Sequence, residues 1–584
     1  MKFSLSSVAI FSLASFVAIT NSQSTQNCPL LGPIFPAPLN PALSKAVHSA
    51  KRNFPQILTE ALSASILDNS TTSFSINVFS ASDNQTLFTY HYAAPALSGS
   101  LPGGSLNDNT IYRIGSLSKL FTAYTLLVKA GNLNWNDPVT KYVPELANAS
   151  TANPIANSQW SDITVGALAS HMAGVTRDYS LFDLSTQDYP FAALGLPTLN
   201  TSEIPPCGFG PGLTSCSRQQ YLKGVLSRHP VTAPFNTPIY SNAGYAILGY
   251  VIETVTGKDF SEAITSGIYQ PLNLSRSSLL APPTNDTNII IPGDATSNAF
   301  YLDGSAEIPA GGMYSTASDI RTLGLSILHS SLLPPALTRR WMKPMSHTSN
   351  VLNAVGAPWE IARMQLPLSP YTNDTRMVDI YTKSGDLTVY SSLLGLVPDH
   401  NIGFSVLTAG KSSGLQRYTL ASLISETWVP ALESAAREEA TARFAGTYSS
   451  DGTNNSTVTI ELEDNRPGLD VTRWISDGID FRSTLKLLLD NTTDPSVNMS
   501  IRLYPTSLTA GNSTSFRAVF ETLPYEPIQT KGVFASNCET WVSVDGFTYG
   551  SIGLDDFEFV LDGTLGKAVE LKPRVLRTNL LRRA

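Results

Sequence analysis

Near residue 440 the chain changes its hydrophobic rhythm, and that change constrains the architecture more than any other feature. Upstream, residues 73–94 alternate, with Phe74, Ile76 and Val78 on one side, a SASDNQ turn, and then Leu87, Thr89 and His91. This pattern predicts an antiparallel hairpin. From about 110 to 329, apolar residues recur at helical spacing between Pro/Gly-rich loops. Residues 379–410 read as strands again, and 414–444 as a helix that Pro430 kinks or interrupts. Strands at both ends of a helical middle predict an α+β domain: one antiparallel sheet completed by both ends, with a helical lobe inserted. Downstream, short alternating runs at 456–463, 469–476, 484–489, 499–504, 516–523 and 557–561 are separated by Gly, Asn, Asp and Pro. Strands at that spacing predict an all-β barrel or sandwich. The expected domains are 51–439 and 440–584, with 23–50 as an N-terminal extension.

Charge excludes several function classes. Of 584 residues, 38 are Lys or Arg and 46 are Asp or Glu, for a net charge of −8. A mildly acidic chain carries no electrostatic footprint for nucleic acid. With 42% hydrophobic residues it is too apolar to be disordered. At the start, Lys2 precedes a Ser-interrupted apolar stretch at 3–20, and Ala18/Thr20 or Thr20/Ser22 form small pairs suited to cleavage. This predicts a signal peptide over 1–22 and a secreted mature protein with no membrane span. The alternative is a membrane anchor, but the stretch barely reaches the roughly 20 apolar residues that spanning requires.

Two features agree with export. N-x-S/T sequons stand at Asn69, Asn84, Asn148, Asn200, Asn273, Asn285, Asn373, Asn454, Asn455, Asn491, Asn498 and Asn512, candidate glycosylation sites. Four cysteines are an even number in a compartment that favours disulfides. Three connectivities are possible, and locality selects Cys207 with Cys216 and Cys28 with Cys538.

Three short motifs carry chemistry. Ser116-Leu117-Ser118-Lys119 follows Gly115 and opens an apolar helix that stops at Gly131. Three residues are nearly one turn, so Ser116 and Lys119 share a helix face. A serine hydroxyl is a poor nucleophile at its own pKa, and an adjacent amine kept neutral by burial and other cations can take its proton. The helix N-terminus favours developing negative charge. The same spacing recurs at Ser483-Thr484-Leu485-Lys486, read as a solvated strand face, so the motif needs company. Tyr240-Ser241-Asn242 stands before a second apolar helix: the tyrosine can shuttle a proton and the amide can hold a carbonyl. Tyr371-Thr372-Asn373 looks similar, but Asn373 starts a sequon and reads as a surface loop. Lys383-Ser384-Gly385 lies in the returning strand region, where Lys can bind a carboxylate or lower neighbouring pKa values and Gly admits a ligand to the backbone.

In this order and these contexts the motifs resemble the serine β-lactamase and penicillin-binding-protein superfamily. YRIGSLSKLFTAYTLLVKAGNLNWNDPVTKYVPEL, ITVGALASHMAGV, PFNTPIYSNAGYAILGYVIETVTGKDF and IPAGGMYSTASDI extend the likeness over roughly 50–430. It is strongest to the class C branch, which includes esterases, D-peptidases and transesterases, while the C-terminal region resembles lipocalin-like modules. The resemblance implies a β-lactamase/transpeptidase-like catalytic domain followed by an all-β, lipocalin-like domain. It further implies Ser116 as nucleophile, Lys119 as general base, Tyr240 as proton shuttle and Asn242 as substrate holder. Lys383, with Ser384 and Gly385, would supply positive potential to the substrate. The backbone N–H groups of Ser116 and Asp386 would form the oxyanion hole. Asp386 departs from the small residue usual there: its carboxylate either opposes Lys383 or, since strand neighbours alternate, points away.

The implied activity is that of a fungal-type secreted serine hydrolase, acting through an acyl-enzyme on an ester or amide of a small molecule. Hydrolysis and acyl transfer both stay open, with natural-product metabolism as the expected setting and β-lactam hydrolysis as a side activity. The alternatives are a catalytically inactive binding protein, a D-peptidase or a true β-lactamase. The expected partner is a small acyl substrate. No cofactor, metal or nucleic acid is implied, and oligomeric state is not set. Gly410-Lys411-Ser412-Ser413-Gly414 fits a nucleophile elbow by pattern, but no His follows Ser412, so it reads as a loop. His171 reads as a hydrogen-bonded histidine near the site. Trp341, Trp359 and Tyr371 are candidates for a pocket wall or for core, and the Cys207–Cys216 loop is a candidate wall.

Overall fold

The computed structural model describes residues 29–583 apart from 133, 182, 188, 209–212, 295–297, 303, 369–373, 452–453, 464–465, 524–539 and 564–565. The proposed signal segment, Cys28, Cys538, Tyr371 and Asn373 lie outside the described residues. The chain forms two units. One comprises Phe35–Ser369 with Thr375–Ala442; the other contains Arg443 onward, together with 29–34 and Asp374.

Among the described residues, ten strands belong to the first unit: β1 (Thr72–Ser80), β2 (Thr86–Tyr92), β3 (Tyr112–Arg113), β4 (Tyr314–Ser315), β5 (Ser346–His347), β6 (Asn353–Val355), β7 (Glu360–Pro367), β8 (Thr375–Leu387), β9 (Tyr390–Val397) and β10 (Ile402–Gly410). Eight of them form one antiparallel sheet in the order β2-β1-β10-β9-β8-β7-β6-β5, and β3 pairs with β4. The early hairpin and the late strands do meet. β1 lies against β10 in unbroken register from Thr72↔Gly410 to Ser80↔Ile402.

Both faces of this sheet are covered, which is why all nine residues of β1 are buried. Phe74, Ile76 and Val78 face Phe54 and Leu58 of helix Lys45–Ser63 and Leu420, Ile424 and Trp428 of helix Ser413–Phe444. Phe79, Leu394, Leu396 and Leu407 face the opposite core with helices Ser118–Ala130, Asn242–Thr256 and Ala317–Leu328.

The structure corrects several expectations. The stretch 23–50 is not simply an extension: Phe35 onward belongs to the first unit, and Ser44 caps helix Lys45–Ser63 by accepting from Ala46 N at 3.1 Å. Pro430 does not end its helix, which runs from Ser413 to Phe444. Trp428, Val429 and Leu432 beside it are at most 1% exposed. Their burial, about 1.5–3 kcal/mol per side chain, outweighs the roughly 3 kcal/mol penalty of an interior proline. Gly410 ends β10, Ser413 starts the helix, and Ser412 N donates to Thr72 Oγ1 at 2.9 Å.

In the second unit, Gly446–Ser449, Thr457–Glu461, Leu469–Ser476, Asn498–Ala510, Ser513–Leu523, Asp556–Leu561, Ala568–Pro573 and Leu580–Arg582 pair antiparallel in chain order. The last strand returns to the first through Tyr448↔Arg582, so the eight close into an up-and-down barrel without an open edge. Phe444, Phe516 and Phe559 pack edge to face inside it, and Trp474 packs on Phe557. The run 484–489 is not a strand: helix Phe481–Asp490 holds it, capped by the Asp480 side chain, which accepts from Arg482 N. Ser483 donates to Asp480, and Lys486 Nζ donates to the carbonyls of Asp494 and Val497. The second Ser-x-x-Lys is therefore structural. All eleven described sequon asparagines across the two units are exposed.

Candidate active site

Ser116 sits in the 3-10 turn Gly115–Leu117, which leads directly into helix Ser118–Ala130. The turn is pinned from both sides. Ser118 Oγ donates to Gly115 O at 2.7 Å, and Ser392 Oγ on β9 donates to Ile114 O at 2.7 Å. One helical turn on, the Lys119 ammonium nitrogen lies 3.2 Å from Ser116 Oγ, 2.6 Å from Asn242 Oδ1 and 2.7 Å from Ala310 O. Burial lowers the Lys119 pKa, and the nearby Lys383 charge lowers it further, against an opposing pull from Tyr240. A neutral amine has two N–H groups and one lone pair. In that form, with Asn242 Oδ1 and Ala310 O accepting the two hydrogens, the lone pair would face Ser116 Oγ, as a proton acceptor requires.

The second motif is held by the segment 171–178. Ser241 caps helix Asn242–Thr256 through Gly244 N at 2.8 Å and donates its own hydroxyl to Thr176 O at 2.7 Å. Its N–H donates to His171 Nδ1 at 3.2 Å, which fixes the proton of this buried histidine on Nε2. The His171 ring stacks on Tyr240 with centroids 4.6 Å apart. Burial, with Lys119 and Lys383 nearby, holds His171 well below its ordinary pKa, so it is neutral. Burial pushes the Tyr240 phenol up. The Lys119 and Lys383 charges, with hydrogen bonds to Lys119 and Ser116, outweigh burial and leave it below its ordinary value.

Behind this pair lie two carboxyls that the sequence did not mark. Asn242 Nδ2 donates to Asp178 Oδ1 at 2.8 Å, which turns the amide oxygen towards Lys119. Glu307 accepts from Tyr221 OH at 2.6 Å. Burial, together with the Asp178 charge, pushes the Glu307 carboxyl up to about 7. Glu307 lies one residue before the IPAGGMYSTASDI stretch, and only the fold shows that it faces the site.

The third motif ends β8, alongside the Ser116 turn. A methyl group on Gly385 would stand 2.7 Å from Ser116 N, and one on Gly115 would stand 2.6 Å from Asp386 N. The backbone of the Ser116 turn and the end of β8 therefore lie in close contact at Gly115 and Gly385. The Asp386 carboxylate is held by Arg417 Nη1 and Ser391 Oγ, each at 2.5 Å, so it does not oppose Lys383 as one of the two expectations had it. Lys383 instead meets Glu360 Oε1 at 2.5 Å.

Ser116, Tyr240, Asn242, Lys383, Ser384, Gly385 and Asp386 all border one cavity of about 590 Å³, with Lys119 directly beneath Ser116. Ser180, Leu181, Thr186 and Gln187 form its outer wall. Of the expected wall, the loop closed by the Cys207–Cys216 disulfide, Gly208 lies against Ser180, and 209–212 fall outside the described residues. Trp341 and Trp359 are core: they pack on each other at 5.1 Å and are 5% and 0% exposed. Among the described residues, no cluster of His, Cys, Asp and Glu is arranged to hold a metal, and no helix is long and apolar enough to cross a membrane.

Comparison with known proteins identifies the family. A family model described as Beta-lactamase matches residues 78–426, and one described as "Beta-lactamase-like-like, C-terminal domain" matches 436–584. The chain is 29% identical to a beta-lactamase-like protein of Arthroderma benhamiae, with 98% of each chain covered. It is 27% identical to a probable hydrolase of Phoma sp., over 86% of this chain and 81% of that one. A class C beta lactamase from Rhodobacter sphaeroides aligns with 63% of this chain and 99% of its own, at 19% identity and a TM-score of 0.46. The first family model takes in all three motifs and more than half of the sequence, and the chain belongs to the beta-lactamase family.

Proposed function

We propose that this protein is a secreted serine hydrolase that works through an acyl-enzyme on an ester or amide of a small molecule. One observation carries the reading: the buried Lys119 amine, held below its ordinary pKa, stands 3.2 Å from the Ser116 hydroxyl. Lys119 takes the Ser116 proton as Oγ bonds to the substrate carbonyl carbon. The oxyanion rests on the N–H groups of Ser116 and Asp386. Tyr240, with the Lys119 proton behind it, protonates the leaving group as the scissile bond breaks. Water, or another acceptor, then attacks the acyl carbon, gives its proton back through Tyr240 and Lys119, and releases Ser116. Neutral His171 positions the phenol by stacking and carries no proton in this cycle.

Relatives named as hydrolases support the reaction class. The predicted leader over 1–22 and the exposure of every described sequon support export and glycosylation. A small natural product as substrate fits the cavity volume of about 590 Å³. The test is steady-state hydrolysis of an uncharged activated aryl ester. The parent is expected to turn it over, and Ser116→Ala and Lys119→Met are expected to lose at least about a thousandfold in kcat. Equal rates in parent and Ser116→Ala would overturn the proposal.

A further inference from the structure

Lys383 is the cation this site would offer to a substrate carboxylate, yet its charge is already engaged. Its ammonium donates to Glu360 Oε1 at 2.5 Å and to Ser384 O at 2.7 Å. The other Glu360 oxygen accepts from Ser384 N at 2.9 Å and from Ser384 Oγ at 2.6 Å. One carboxylate therefore occupies the donors of Lys383 and Ser384 together, in the manner an anionic ligand would. The β7–β8 register makes this possible: Glu360 lies opposite Thr382, one residue before Lys383.

Among the described residues, the rest of the wall holds one other cation, 61% exposed and with a carboxylate partner. Arg177, the other cation bordering the cavity, has Nε 3.4 Å from Asp178 Oδ2. Glu360 itself borders the cavity with its side chain 39% exposed, so its charge is felt by whatever enters. Leu181, Leu302 and Leu387 supply apolar lining.

We propose that Glu360 is a specificity-determining residue that fills the carboxylate subsite from within, so that this enzyme acts on substrates carrying no carboxylate beside the scissile bond. Neutral esters, lactones and amides fit. Penicillin-like and peptide-carboxylate substrates are excluded by like charge. The inference rests on the serine-hydrolase reading above and narrows its substrate class.

The test uses two aryl butyrates that differ in one group: 3-carbamoylphenyl butyrate and 3-carboxyphenyl butyrate. The ratio of their kcat/KM values is independent of how much of a preparation is folded. The parent is expected to prefer the carbamoyl ester by about tenfold or more, and added salt is expected to narrow the preference. Glu360→Gln should shift the ratio towards the carboxylate ester by about tenfold, and Glu360→Asp, which keeps the charge, should stay near the parent. A parent that treats both esters alike overturns the proposal. So does a Glu360→Gln ratio unchanged while the carbamoyl ester is still hydrolysed. If Glu360→Gln does not fold, the parent's own preference and its salt dependence decide. A folded parent that hydrolyses neither ester overturns the hydrolase reading itself.

Discussion

Alanine at Gly385 tests the geometry of the Ser116 turn most sharply. An added Cβ would stand 2.0 Å from Ile114 O, 2.6 Å from Leu117 N and 2.7 Å from Ser116 N. All three are backbone atoms of the segment that carries Ser116, so no side chain can swing aside. Ordinary contact begins near 3.4 Å, so β8 and the turn must part by about 1.4 Å at the closest point. A shift of about 1 Å in a reacting group costs on the order of a hundredfold in rate. The packing cost, about 1–3 kcal/mol, lowers Tm by a few degrees and leaves the protein folded. The assay is kcat/KM on an uncharged aryl ester, paired with a thermal melt. Gly99→Ala is the control, because a methyl group there meets nothing within 4 Å. If Gly385→Ala retains activity within about threefold of the parent and melts at the same temperature, the close approach of turn and strand is wrong.

Three further outcomes follow from the same structure. The pre-steady-state acylation rate should rise with pH and level off above the Lys119 pKa, which burial and the Lys383 charge hold below its ordinary 10.5; Lys383→Met should move the rise to higher pH, by removing a cation that depresses it. Glu307, pushed by burial up to about 7 from 4.5, keeps its proton in the folded state where the unfolded chain has lost it. Its contribution to stability therefore falls as pH rises from about 4.5 to 7, so melts of Glu307→Gln should gain on the parent across that window, and a constant difference would refute the assignment. Replacing both Cys207 and Cys216 by Ala opens a loop of sequence separation 9 and should cost about 2–3 kcal/mol in denaturant unfolding.

Much of the first unit was legible because its signals are local. Ser116 and Lys119 are three residues apart on one helical turn, and Tyr240 and Asn242 flank a helix cap, so order and context could place them. The meeting of the early hairpin with the late strands followed from alternating patterns at both ends. What stayed hidden depends on register and long-range packing. Glu360 reaches Lys383 across 23 residues only because β7 and β8 pair as they do, and Asp178 reaches Asn242 across 64. Arg417, which holds Asp386, comes from the helix Ser413–Phe444, 31 residues further along the chain. The 484–489 error was avoidable: Asp480 offers a helix cap, and Phe481, Leu485 and Leu488 recur at helical spacing. Pro430 misled because a local propensity was weighed without the buried Trp428 and Leu432 beside it.

The central claim is an acyl group on Ser116, and trapping it is the direct measurement. The protein is mixed with an activated aryl ester, quenched in acid within milliseconds, digested and mapped by mass. The structure predicts the acyl increment on the peptide that contains Ser116 in the parent, and none in Ser116→Ala. An increment on any other residue, or turnover that persists in Ser116→Ala, would contradict the account.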